Sequence, residues 1–119
     1  PEVDIHSATK AEIEESLRNK LAAALDSVPE GKQVVFKLSL PSQANFYAPL
    51  IDHPKVMRVV ALSGGYSRDE ACTMLAANHG MIASFSRALS EGLTAQMSEE
   101  EFTATLDAAI AEIYAASIT

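Results

Sequence analysis

The chain has 119 residues, nearly half of them apolar, with a formal charge of −7 and a single cysteine, Cys72. That length supports one modest domain with one core, and the acidic balance disfavours nucleic acid and anionic membrane surfaces as partners, though it leaves room for a local anion site. One cysteine excludes a disulfide framework within the chain and points to a reducing, cytoplasmic setting; no apolar run approaches the roughly 20 residues of a membrane span, and no signal peptide is visible.

In chain order, Pro1-Glu2-Val3-Asp4-Ile5 begins without a methionine. It reads as a strand, Glu2–Ile5, entered midway, as if the chain were part of something longer. A helix over about 9–27 follows, with Ile13, Leu17, Leu21, Leu25 and Val28 on one stripe and Glu14, Glu15, Arg18 and Lys20 on its other faces. The run Val34–Leu40 alternates as a strand should, with Val34, Phe36, Leu38 and Leu40 on one face and Val35, Lys37 and Ser39 on the other. Pro41, Pro49 and Pro54 punctuate a loop with a short helix around 43–51. Val56–Leu62 is almost continuously apolar, the pattern of a parallel strand covered on both faces. A helix over 67–77, a strand over Met81–Phe85 and a helix over 98–117 complete the chain. The last helix stripes Phe102, Leu106, Ile110, Ile113 and Tyr114. Thr9-Lys10-Ala11-Glu12, Ser67-Arg68-Asp69-Glu70 and Ser98-Glu99-Glu100-Glu101 each fit the S/T-x-x-E capping box. Four successive strand–helix units predict an α/β fold with a parallel sheet, either a small open sheet or half of an eight-fold barrel of about 250 residues.

Three features carry chemistry. Lys37 sits in mid-strand, where it is either an ordinary solvated lysine or an amine facing a closed interior, in which a neutral, reactive form is favoured. Leu62-Ser63-Gly64-Gly65-Tyr66-Ser67 ends a strand and opens a capped helix, a place where backbone N–H groups can approach an anion. Ile82-Ala83-Ser84-Phe85-Ser86-Arg87-Ala88-Leu89 also follows a strand, and Arg87 offers a planar fork suited to phosphate. Each turn alone is equally an ordinary connection, but in barrels phosphate is often held by the loops after the last two strands. His6, His53 and His79 are scattered and read as turn or surface residues, so no metal site is expected. Lys32 reads as a solvated turn residue. Lys55 and Arg58 flank a strand start, the end of a barrel away from chemistry.

Taken together, "PEVDIHS", "VVFKLSLP", "RVVALSGGYSRDEA" and "IASFSRAL" resemble the class I fructose-bisphosphate aldolases, in particular their bacterial branch, in register over the whole chain. The resemblance implies a (β/α)8 barrel of which residues 1–119 form a single C-terminal half-barrel segment, about strands five to eight. It implies that Lys37 forms a Schiff base with the ketose carbonyl. It further implies that Ser63 and Gly64 contact a substrate phosphate, and that Ser84, Phe85, Ser86 and Arg87 match the Ser-aromatic-(Gly/Ser)-Arg segment, with Arg87 binding phosphate. Ser86 stands where many animal members have glycine. Glu2 matches the second glutamate of the family's Glu-Pro-Glu; the first, an acid/base, would precede Pro1. The aspartate and lysines of the family's first four strands are likewise outside this sequence.

The implied reaction is the reversible cleavage of fructose 1,6-bisphosphate to dihydroxyacetone phosphate and glyceraldehyde 3-phosphate, with no cofactor and no metal. The expected partners are a phosphorylated sugar and either the missing N-terminal half-barrel or a second copy. Against this stands a half-barrel that binds phosphorylated ligands or self-associates without catalysis. A stand-alone redox or signalling domain has little support, since Cys72 lacks a partner and no acidic phosphoryl-transfer pocket is evident.

Overall fold

Three of the four apolar runs become strands in the computed structural model, which describes residues 1–119. They are β1 (Val34–Ser39), β2 (Val56–Leu62) and β3 (Met81–Ala83), all parallel, in the order β1-β2-β3. The helices are α1 (Lys10–Ala24, continued by a 3-10 turn over Leu25–Ser27), α2 (Ala48–Ile51), α3 (Arg68–Ala76), α4 (Arg87–Ser90) and α5 (Glu99–Ser117). Parallel neighbours require crossovers, and α2 and α3 lie in the two that join the strands.

The fourth expected strand, Glu2–Ile5, does not form. Its backbone makes no ladder. Val3 instead gives its N–H to the side chain of Ser39, and Asp4 and His6 close a local turn. A strand exists only where backbone groups pair in series, and here a serine hydroxyl takes the place of the ladder. The segment nevertheless lies against the end of β1, with Val3 buried.

Register explains what the two sheet faces carry. Phe36, Val59 and Met81 form one row, and Leu38, Ala61 and Ala83 the next. Leu38, Val59, Ala61 and Met81 are completely buried, under a helical layer that contributes Leu25, Tyr47, Leu50, Leu75 and Ala116. The opposite face carries Lys37, Val60 and Ile82 in one row and Ser39 with Leu62 in the next. No helix covers it: Val35 is 54% exposed and Lys37 is open. The expectation that Val56–Leu62 is covered on both faces is therefore corrected. The strand is sealed on its helix side only, and Met57, left unmatched by a one-residue register slip, is 61% exposed. The radius of gyration, 15.9 Å, exceeds the ~13.5 Å of a compact chain of this length, as a single sheet with one bare face should.

Helix ends and faces follow local chemistry, with two departures. Ser67 and Ser98 make complete capping boxes with Glu70 and Glu101. Thr9 does not. Its backbone is turned away from the extended cap conformation, and its hydroxyl faces Ser7 Oγ at 3.2 Å. On α1, Glu14 is buried rather than solvated. It pairs with Lys10, itself only 7% exposed, and both its oxygens accept the Ser42 N–H at 3.0–3.1 Å. Lys10 Nζ also donates to Leu40 O and Ser42 Oγ, each at 3.0 Å, so all three of its protons are used. This pair bolts the chain just beyond β1 to α1. On α5 the buried positions are Ala109 and Ala116, while Phe102, Ile110 and Tyr114 of the expected stripe face out. Small residues let α5 approach α3 and β3 closely.

Candidate functional site

The C-terminal ends of parallel strands are where open α/β sheets gather ligand-binding groups, and here the candidate residues converge there. A cleft of about 170 Å³ is lined by Glu2, Lys37, Leu62, Ser63, Gly64, Ser84, Ser86 and Arg87. Every candidate site residue from the sequence is thus in one place, drawn from four stretches of chain. Lys37 rises from the middle of β1 on the bare face. Its row on that face continues through Val60 of β2 and Ile82 of β3, both apolar. Phe85 is the one member of the Ser-aromatic-Ser-Arg segment that turns away, into an apolar groove of about 450 Å³ between β3 and α5.

Donors ring the cleft. Gly64 (φ 59°) and Gly65 (φ 99°) adopt the left-handed conformation that glycine alone takes at low cost. Their N–H groups make no hydrogen bond within the chain, nor does that of Ser86. The Ser84 N–H, by contrast, is spent on Ala61 O at 2.8 Å, so Ser84 brings only its hydroxyl. Arg87 lies 3.6 Å from the Glu2 carboxylate, with the two side chains 74% and 56% exposed. An ion pair so long and so wet contributes little, and the guanidinium can exchange partners.

A second cleft of about 420 Å³ adjoins the first and shares Glu2, Gly64 and Arg87; Asp4, Ile5, His6 and Gly65 complete it. Asp4 and His6 were not singled out by sequence as site residues, although the polar residues at alternate positions of the nominal first strand were a signal that it borders a polar space; Gly65 belongs to the glycine turn already read as an anion-binding candidate. Ser39 was likewise missed.

The remaining ionisable groups lie elsewhere. The Lys55 ammonium caps the end of the first helix, on Leu25 O and Asp26 O. The His53 ring accepts the Lys55 N–H in a turn. Burial, with Glu112 adding, pushes the Cys72 thiol up to about 11, which makes it a poor nucleophile at neutral pH. No three His, Cys, Asp or Glu side chains cluster in a way that would hold a metal ion, and no helix is long and apolar enough to cross a membrane.

A parallel α/β sheet with a lysine and a ring of anion donors at its strand ends narrows the possibilities, and comparison with known proteins narrows them further. The chain is 55% identical over all of its 119 residues to fructose-bisphosphate aldolase class 1 of Synechocystis. It is 53% identical over 118 residues to the protein of that name from Porphyromonas gingivalis, and 50% over 119 residues to that of Clostridium acetobutylicum. No family model matches the chain. Identity at this level along the whole sequence assigns it to the class I fructose-bisphosphate aldolase family. The chain spans 40% of the length of these curated relatives.

Proposed function

We propose that this chain is the C-terminal half-barrel segment of a class I fructose-bisphosphate aldolase. In this reading β1, β2 and β3 are the sixth, seventh and eighth strands of a (β/α)8 barrel, and the segment around Glu2–Ile5 is what stands at the fifth. The enzyme reversibly cleaves fructose 1,6-bisphosphate to dihydroxyacetone phosphate and glyceraldehyde 3-phosphate, a cytoplasmic step of glycolysis and gluconeogenesis. The observation that carries the reading is the convergence of Lys37, Glu2, Ser63, Gly64, Ser84, Ser86 and Arg87 on one cleft.

The chemistry follows from the parts. Cleaving the C3–C4 bond leaves an electron pair on C3, next to the ketone carbon. The neutral amine of Lys37 adds to C2, water leaves, and the resulting iminium accepts that pair as an enamine. Proton transfer accompanies each stage. The carbinolamine hydroxyl must gain a proton to depart, and the C4 hydroxyl must lose one as the bond breaks. Glu2 is a supporting acid beside Lys37; the principal acid/base is expected from the part of the family pattern that precedes Pro1. Gly64 and Ser86 N–H groups, the Ser63 and Ser84 hydroxyls and Arg87 hold a phosphate, which fixes the carbonyl within reach of the amine. That is an orientation effect, large even for small displacements. Arg87 leaves the weak Glu2 pair when phosphate arrives, because a bidentate charge-assisted contact outweighs a solvated one.

Borohydride tests this directly. It reduces an iminium to a stable secondary amine. With dihydroxyacetone phosphate present, intact mass should show one adduct, peptide mapping should place it on Lys37, and Lys37→Met should abolish it. An adduct on any other lysine would refute the assignment. The bare sheet face favours a second reading for the isolated chain, ligand binding or self-association without turnover. Phosphate binding with no adduct would support it.

A further inference from the structure

We propose that Ser39 is a positioning residue: its hydroxyl holds the peptide of Val3 and thereby sets Glu2 opposite Lys37. The inference rests on the Schiff-base reading of Lys37 for its consequence, though not for its geometry. Ser39 lies two residues beyond Lys37 on the same face of β1, ~7 Å along the strand, and is only 1% exposed. Its Oγ accepts the Val3 N–H at 2.6 Å and stands 3.4 Å from Val3 O, where it donates. One hydroxyl thus satisfies both backbone groups of a buried residue that has no strand partner.

Nothing else hydrogen-bonds residues 1–5 to the sheet. The other bonds of this segment are local, and the Glu2–Arg87 contact is long and solvated. The side chain next to Val3 is that of Glu2, and Glu2 and Lys37 line the same cleft. The strand that presents the amine therefore also presents, one step further along, the anchor for the carboxylate. Lys10 and Glu14 fix the chain immediately beyond, at Leu40 and Ser42, so the anchor stands on an immobilised strand end. Without the hydroxyl, Val3 carries an unpaired N–H and C=O in a buried place. It escapes that penalty by moving into water and takes Glu2 with it. A serine that only completed the core would affect stability and leave the Glu2–Lys37 relation untouched.

The test compares the natural chain with Ser39→Ala and Ser39→Thr. A carbodiimide joins a carboxylate to an amine only when they meet, and mass spectrometry reads the Glu2–Lys37 amide. Its yield should fall about tenfold in Ser39→Ala, the scale of losing a buried hydrogen-bonded anchor, and return in Ser39→Thr, with amide exchange in β2 unchanged. In the natural chain the Val3 amide itself should be protected from exchange. An unprotected Val3 amide, no cross-link in the natural chain, or equal yields with alanine would overturn the proposal. The borohydride adduct with dihydroxyacetone phosphate should form more slowly in Ser39→Ala and recover in Ser39→Thr. If the natural chain forms no adduct while the cross-link pattern holds, the Schiff-base reading fails and the positioning role stands.

Discussion

Gly64 and Arg87 show how single residues set the cleft. A Cβ on Gly64 would lie 3.0 Å from Leu62 Cδ1, and the residue sits at φ 59°. Gly64→Ala therefore costs about 1–2 kcal/mol from the left-handed backbone alone and shifts the loop that offers its N–H. Arg87 contributes charge and a fork. Arg87→Ala should weaken inorganic phosphate binding by about tenfold or more, the scale of a hydrogen bond to a charged group, while Arg87→Lys recovers the charge without the fork. A phosphate titration followed by NMR at Ser84–Ser86 measures this, and unchanged affinity in Arg87→Ala would remove the residue from the site. These residues were readable in the sequence because each belongs to a short motif whose members are adjacent. Ser39 was not, because its partner is 36 positions away and nothing local marks it.

Among the elements, the capped helices were the most legible. A capping box spans four residues, and all of its interactions are local. Hydrogen bonds from Ser67, the side-chain bond first, hold the Glu70 carboxyl below its ordinary value of 4.5; the backbone bond from Ser98, then its hydroxyl, does the same for Glu101. A carboxyl whose folded value is lowered stabilises the fold fully above its unfolded value and loses that contribution as pH falls through the folded one. Acid titration followed by circular dichroism should thus show helix loss beginning below pH 4.5, and Glu70→Gln with Glu101→Gln should flatten that limb. An unchanged acid profile in the double variant would contradict the assignment. Thr9 fits the same pattern and makes no box, because Ser7 engages its hydroxyl. The face of α1 was misread for a related reason. Glu14 is polar, and a periodicity argument sends it to solvent, yet Lys10 and the Ser42 N–H make it a satisfied buried acid. Burial also pushes the Tyr47 hydroxyl up to about 12, with Glu14 adding and Arg18 opposing.

The molecule as a whole is a sheet with one finished side. Only 22 of 119 residues are buried; Val35 and Met57 are left exposed, and an apolar groove runs between β3 and α5. Exposed apolar surface on an uncovered sheet face invites association. In sedimentation the isolated chain should become heavier than its 12.7 kDa as concentration rises, and Ile82→Lys, which places a charge on the edge strand, should restore the monomer. A monomer at every concentration would show that water tolerates the bare face.

The sequence by itself determined the parallel α/β class, three strands in order and two helix starts, because these rest on periodicity, adjacent motifs and contacts within a helical turn, while the residues brought together in the cleft were legible chiefly through resemblance to a family. The tertiary structure alone decided that Glu2–Ile5 is no strand, that α5 buries Ala109 and Ala116 rather than Phe102, Ile110 and Tyr114, and that Glu14 and Ser39 are buried. Those outcomes depend on which backbone and side-chain groups, dozens of residues apart, meet once the sheet has brought them together, and a buried polar group is tolerable only where such a distant partner completes it.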